Sequence, residues 1–200
     1  MAERALAVYV VDDDASIRDS LALMLGLGGY ATRLFADAES FLKAFEPGWA
    51  GCVVADLRLP GLSGVELQAR VRALGSSIAF VIITAHGDVP AARAAFRAQA
   101  VDFIEKPFED AQLRAAIDTA FALESNRIGQ AELRRADEAR LARLTPRERE
   151  VLEHAVHGKH AKEIASALGI SPRTVEVHKT RIMEKLEVRN IAELVRLRFR

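Results

Sequence analysis

Asp12, Asp13 and Asp14 stand side by side at the end of the apolar run Ala7 to Val11 (AVYVV), and Asp56 ends a second run, Cys52 to Ala55. Adjacent carboxylates repel one another unless a cation neutralises them. A hard cation such as magnesium takes oxygen ligands and commonly only one or two carboxylates, with waters and phosphate oxygens completing its shell. A carboxylate is also a nucleophile toward phosphorus, giving an acyl phosphate, and such a transfer depends mainly on positioning and charge neutralisation. Two further residues suit this chemistry. Thr84, after the run Ala79 to Ile83 (AFVII), has a hydroxyl to donate, and Lys106, after Val101 to Ile104, has a point charge for a phosphoryl group. Asp13 and Asp56 are the candidate metal ligands, with the Arg58 carbonyl as a third and Asp12 in the outer shell. Taken singly, each has a plainer reading: Asp56 as a loop carboxylate, Lys106 as a surface lysine, Thr84 as a strand-end residue. Asp14 or Ser16 has an ordinary task as cap of the helix through Ile17, Leu21, Met24 and Leu25.

What makes the set more than coincidence is the order of elements that must carry it. Short unbroken apolar runs suit strands buried on both faces of a parallel sheet. Three such runs, Ala7 to Val11, Cys52 to Ala55 and Ala79 to Ile83, and two more mixed segments, Ala31 to Phe35 and Val101 to Ile104, give five expected strands. Helical segments alternate with them: Ile17 to Leu25, Ala38 to Phe45, Gly64 to Val71 capped by Ser63, Val89 to Ala98, and Gln112 to Leu123. Strands alternating with helices predict a doubly wound, flavodoxin-like α/β domain. In such sheets ligands bind outside the carboxyl ends of the strands. Asp12, Asp13, Asp56, Thr84 and Lys106 all fall at that edge. Cys52 reads as small buried filling.

The net charge of the chain is zero, which conceals an asymmetry. Residues 1–124 hold 11 Lys and Arg against 17 Asp and Glu, a balance of −6, while residues 125–200 hold 17 against 11, a balance of +6. An acidic half suits a cation and a basic half a polyanion. A length of 200 residues accommodates two domains. One cysteine makes no internal disulfide, no run approaches a membrane span, and no leader-like segment opens the chain, so the expected location is the reducing cytoplasm, with no membrane partner.

Ser125 to Arg143 is rich in Ala, Glu and Arg with apolar residues only at Ile128, Leu133 and Leu141, which predicts a mostly exposed linker helix, either separate from the helix before it or continuous with it, and weakened at Gly129. Beyond it lie four short helical patterns. Thr145 and Pro146 start the first, Ala161 to Leu168 forms the second and Gly169 ends it. Ser171 and Pro172 open the third (RTVEVHKTRIMEKL), and Asn190 caps the fourth. A short helix, a glycine turn and a longer helix form a helix-turn-helix, whose second helix enters the major groove. Val175, Ile182 and Leu186 make its buried stripe, leaving Arg173, Thr174, Glu176, Val177, His178, Lys179, Thr180, Arg181 and Lys185 as DNA-facing candidates. His154, His157 and His160 are spaced by three, but Gly158 interrupts them and no acidic partner is near, so they are not read as a metal site.

VVDDD at 10–14, Asp56 followed by LRLPGLSG, ITAHGD at 83–88 and DFIEKPFED at 102–110 resemble the receiver domain of bacterial two-component response regulators. LTPREREVLEHAVHGKHAKEIASALGISPRTVEVHKTRIMEKL resembles the LuxR-type DNA-binding domain. Together they resemble the NarL/FixJ family. The resemblance implies a receiver at 1–122, a linker at 123–143 and a DNA-binding domain at 144–200. It implies Asp56 as phosphoacceptor with Mg2+ at Asp12 and Asp13, switch positions Thr84, Phe103 and Lys106, and a cis peptide before Pro107. It also implies a transcription activator rather than an enzyme, one that accepts and slowly loses a phosphoryl group. The implied partners are a FixL-like sensor histidine kinase, operator DNA, RNA polymerase and, once phosphorylated, a second copy of the chain. The dimer face expected is Val89, Ala92, Phe96 and Val101. The implied regulon is nitrogen fixation under low oxygen, with aromatic catabolism as the alternative.

Two rival functions fit parts of the chain. A magnesium-dependent phosphohydrolase would use Asp56 as nucleophile but needs a substrate pocket or cap, which no insertion here builds. A constitutive DNA-packaging protein would not need the acidic cluster.

Overall fold

The computed structural model describes residues 6–85 and 89–199; His86, Gly87 and Asp88 of the ITAHGD motif lie outside the described residues. The chain divides into two compact units, residues 1–127 and 128–200.

The first unit holds strands β1 (Ala7–Val11), β2 (Ala31–Phe35), β3 (Gly51–Asp56), β4 (Ala79–Thr84) and β5 (Asp102–Glu105). Helices α1 (Ala15–Leu27), α2 (Ala38–Ala44), α3 (Gly64–Ala73), α4 (Val89–Arg97) and the first part of α5 (Asp110–Ala142) alternate with them. The sheet is wholly parallel in the order β2-β1-β3-β4-β5. β3 is buried at all six positions and sits at the centre, as an unbroken apolar run demands. β2 is an edge strand and mostly exposed.

Strand side chains alternate between faces, and the core divides accordingly. Tyr9, Val11, Val53, Ala55, Phe80 and Ile82 join Phe41, Leu67 and Val71 of α2 and α3. Val8, Val10, Cys52, Val54, Val81 and Ile83 join Leu21 and Leu25 of α1 and Leu113 and Ile117 of α5. Burial pushes the Cys52 thiol pKa up, so Cys52 packs as the small neutral filler expected of it.

One expectation for this unit is corrected: β5 begins at Asp102, so Val101 precedes the strand rather than opening it. The linker helix is continuous with the helix before it: α5 runs unbroken for 33 residues to Ala142. Gly129 stays helical within it. One interior glycine lowers helix stability by only about 1 kcal/mol relative to alanine, too little to stop a helix whose neighbours are strong helix formers.

The second unit packs the end of α5 with α6 (Pro146–Val156), α7 (Ala161–Leu168), α8 (Pro172–Leu186) and α9 (Ile191–Phe199). Its core gathers Leu144, Val151, Leu152, Ile164, Val175, Ile182, Leu186 and Leu194, with Leu141 of α5 packed against it. Thr145 caps α6 and Ser171 caps α8, each followed by proline. Gly169 ends α7 at φ 66°, a left-handed conformation that glycine adopts without steric penalty.

Candidate phosphoryl site and DNA-reading helix

The carboxyl ends of β1, β3, β4 and β5 lie along one sheet edge. β3 and β1 are in register through Ala55 and Val11, so Asp12 and Asp56 emerge side by side. β3 and β4 pair Asp56 with Ile83, which brings Thr84 to the same edge. Gly64 lets α3 start against this point: a Cβ there would lie 2.5 Å from the Asp56 carbonyl oxygen. The Gly64 N–H donates to the Leu57 carbonyl at 3.0 Å, closing the loop that carries Asp56.

Lys106 joins the carboxylates. Its Nζ lies 2.8 Å from Asp12 Oδ2 and 2.8 Å from Asp56 Oδ1. The remaining oxygens are held by backbone: Asp14 N–H donates to Asp12 Oδ1 at 3.0 Å, and Arg58 N–H donates to Asp56 Oδ2 at 2.8 Å. Asp12 is 1% exposed and Asp56 7%, so both charges depend on these partners. Burial works against the Lys106 ammonium, yet the bonds from Asp12 and Asp56 outweigh it and hold the Lys106 pKa above its ordinary value. The Lys106 N–H donates to the Thr84 carbonyl at 2.7 Å, and a cis peptide joins Lys106 to Pro107. Thr84 is buried, Phe103 is partly buried against the α2 and α3 side of the sheet, and Asp13 is exposed. Asp14, the third of the run, is the N-cap of α1 and accepts the Ser16 N–H at 2.8 Å.

The edge therefore brings the Asp12 and Asp56 carboxylates against the Lys106 ammonium, with the Arg18 guanidinium bonding the Asp12 carbonyl at 2.7 Å and Asp13 exposed next in the chain. Among the described residues no three His, Cys, Asp or Glu side chains are grouped as a complete metal site, but carboxylate oxygens fit a hard dication by ligand type, and such an ion commonly takes only one or two of them. Bound there, such an ion would neutralise charge on a phosphoryl group's oxygens.

On α4, Val89 is 70% and Phe96 53% exposed, while Ala92 is partly buried. Val101 is partly buried against the α1 and α5 side of the sheet. The four do not form one exposed face; Val89 and Phe96, two helical turns apart, are its exposed members.

In the second unit, α7, the Gly169 turn and α8 form the expected helix-turn-helix. Val175, Ile182 and Leu186 are buried. Arg173, Glu176, Val177, Thr180 and Arg181 are exposed, while Thr174, His178, Lys179 and Lys185 are partly buried. Lys179 pairs with Glu176 at 3.1 Å, and the Thr180 hydroxyl donates to the Glu176 carbonyl at 3.1 Å. Lys185 turns away from this face to Glu148 of α6, at 2.7 Å. Sequence reading did not find that partner, 37 residues distant.

Residues 8–118 match the family of response regulator receiver domains, and residues 142–198 match the luxR family of bacterial regulatory proteins. The chain is 45% identical to the transcriptional regulatory protein FixJ of Bradyrhizobium diazoefficiens, across 96% of this chain and 94% of that one. It is 40% identical to the C4-dicarboxylate transport transcriptional regulatory protein DctR of Rhodobacter capsulatus, across 96% and 99%. The low-resolution structure of response regulator StyR superposes with a TM-score of 0.85 at 41% identity, covering 96% of this chain and 98% of that one. Receiver domains generally bind Mg2+ at their phosphorylation site, pair with a histidine kinase and, joined to a helix-turn-helix, act on DNA. The chain belongs to the two-component response regulators, with a receiver domain followed by a luxR-family DNA-binding domain, and is a transcriptional regulator.

Proposed function

We propose that Asp56 is the phosphoacceptor and that its phosphorylation drives dimerisation and operator binding to activate transcription. The observation that carries this reading is the pair of hydrogen bonds that the Lys106 ammonium donates to Asp12 and Asp56, a positive charge held beside a carboxylate at the carboxyl edge of the sheet. A carboxylate oxygen of Asp56 attacks phosphorus of a kinase phosphohistidine; the P–O bond forms as the P–N bond breaks, and the imidazole leaves with a proton from water. Asp13, Asp56 and the Arg58 carbonyl, with Asp12 behind them, would hold Mg2+. Thr84 and Lys106 would bond the phosphoryl oxygens, and Phe103 would turn inward with Thr84. Later attack by water returns the free carboxylate, so the protein is turned over as a switch rather than acting as an enzyme.

Arg173, Thr180 and Arg181, with Glu176 and Val177, face operator DNA in this reading, and a cytoplasmic activator of this kind acts with RNA polymerase. Likeness to FixJ favours a FixL-like kinase and nitrogen-fixation genes under low oxygen. Likeness to DctR at 40% identity supports the same mechanism serving another regulon.

The test is DNA binding with and without acetyl phosphate and Mg2+. Wild type should gain affinity on phosphorylation and Asp56→Asn should not, since an amide is neither nucleophile nor good magnesium ligand. Stoichiometric phosphorylation of Asp56→Asn at another residue would overturn the assignment.

A further inference from the structure

Glu148 is 3% exposed in the first turn of α6. Its Oε2 accepts the Thr145 backbone N–H at 2.8 Å and the Lys185 ammonium, from the last turn of α8, at 2.7 Å. Burial opposes ionisation of Glu148, but the bonds from Lys185 and Thr145 outweigh it and hold the carboxyl pKa below its ordinary value. Helix capping does not account for this arrangement. Glu66 completes the same capping box with Ser63 at the start of α3, and it stays exposed. Glu163 bonds the His160 N–H at the start of α7, and it too is exposed. Glu148 differs from both in being buried and in taking a lysine from another helix.

At about 100° per residue, Lys185 lies about 180° around α8 from Glu176 and about 140° from Thr180. It lies only about 40° from Arg181, one turn earlier, but its ammonium is taken up by Glu148 of α6 at 2.7 Å, whereas Arg181 is exposed. The other buried contacts of α8 in this core are aliphatic, through Val175, Ile182 and Leu186, and aliphatic contacts have no preferred direction. A charge-assisted hydrogen bond does. With side chains reaching about 5–6 Å from the helix axis, a rotation of about 10° moves a tip by about 1 Å, enough to spoil a hydrogen bond whose working range is narrower than that.

We propose that Glu148 and Lys185 are a positioning pair for DNA reading: Lys185 acts on DNA through Glu148, by fixing the rotation of α8 against α6, and not by contacting phosphate. The inference rests on the DNA-binding reading above, and its test separates the two.

The test measures affinity as a function of salt. A lysine that neutralises a phosphate contributes about 0.9 to the slope of log K against log salt; a positioning lysine contributes nothing. Full-length protein carrying the beryllofluoride phosphate mimic is titrated with a duplex that wild type selects from a random-sequence pool, and with a scrambled duplex. Lys185→Gln and Glu148→Gln should each lower the ratio of selected to scrambled affinity at least about fivefold, the lower end of one lost base contact. Lys185→Gln should leave the salt slope at the wild-type value, whereas Arg181→Gln should flatten it by about 0.9. The double variant should be no worse than either single variant. Circular dichroism at the assay temperature establishes that each protein is folded. If Glu148→Gln fails to fold, Lys185→Gln and Lys185→Met carry the test, because the Lys185 side chain is 36% exposed. A Lys185→Gln slope flatter by about 0.9 with an unchanged ratio would make Lys185 a phosphate contact and overturn the pair. Wild type that selects no duplex at all would instead overturn the DNA-binding reading beneath it.

Discussion

Lys106 Nζ lies 2.8 Å from Asp56 Oδ1, although 50 residues separate them. The contact spans the sheet edge from the end of β5 to the end of β3, and the same ammonium bonds Asp12 from the end of β1. One cation thus holds together three loops that the chain brings in separately.

Replacing that cation with a neutral side chain removes one positive charge from beside Asp12 and Asp56. Lys106→Ala should lower stability in the absence of divalent ions by up to about 3 kcal/mol, because a buried pair loses one partner. Added Mg2+ should restore more stability than it adds to wild type, since the dication meets greater negative charge. Thermal unfolding of both proteins with and without MgCl2 measures this. Equal magnesium shifts in the two would refute the charge balance described here. The same variant should bind Mg2+ yet show a weakened DNA response to phosphodonor.

The approach of α3 to the Asp56 loop gives a second prediction. A methyl group at position 64 would press on the Asp56 carbonyl at 2.5 Å, and that neighbour is backbone. Gly64→Ala should therefore destabilise the receiver by about 1–3 kcal/mol, the usual range for overpacking, and should slow labelling of Asp56 by acetyl phosphate. Labelling at the wild-type rate would mean that the loop yields without moving the carboxylate.

Much of this site was legible in the sequence because parallel strands are read as unbroken apolar runs, and the residue after each run must lie at one edge. Asp12, Asp56 and Thr84 were reached in this way, and Lys106 from its place just beyond the expected strand Val101 to Ile104. The partner of Lys185 was not, because a lysine near a helix end looks alike in sequence whether it meets phosphate or a carboxylate 37 residues away. Whether the linker helix continued the one before it was left open for a related reason: a glycine breaks a helix only where the backbone turns left-handed, as Gly169 does, and Gly129 stays helical. Charge totals placed the DNA-binding function in the second half, but only three-dimensional contacts show which charges are already engaged.

Glu148 supplies a prediction in pH. Its folded pKa lies below the ordinary glutamate value of 4.5, so its ionised form is favoured by folding. The resulting stability is fully present above pH 4.5 and is lost as pH falls through the lower, folded value. Glu148→Gln removes this dependence. The gap in thermal stability between wild type and Glu148→Gln should therefore be widest near neutrality and should narrow as pH falls from 4.5 through the lowered folded value. A gap constant across that range would mean that the charge on Glu148 contributes nothing to the fold.

The last prediction concerns the helix that follows the phosphoryl edge. Val89 and Phe96 are 70% and 53% exposed on α4, seven residues apart and so close to one face of the helix. Full burial of such side chains contributes about 1.5–3 kcal/mol each, and about half of that is still to be gained by a half-exposed one. A two-fold interface uses each residue twice, so losing Phe96 from both protomers should weaken the dimer at least about tenfold. Phe96→Glu should bind the beryllofluoride mimic as wild type does, because Phe96 is not among the residues gathered around Asp56. It should remain monomeric at concentrations where the mimic dimerises wild type. Sedimentation velocity with and without the mimic reads both outcomes. If wild type stays monomeric in both states while its DNA affinity still rises, phosphorylation acts within one chain, and α4 is not the dimer face.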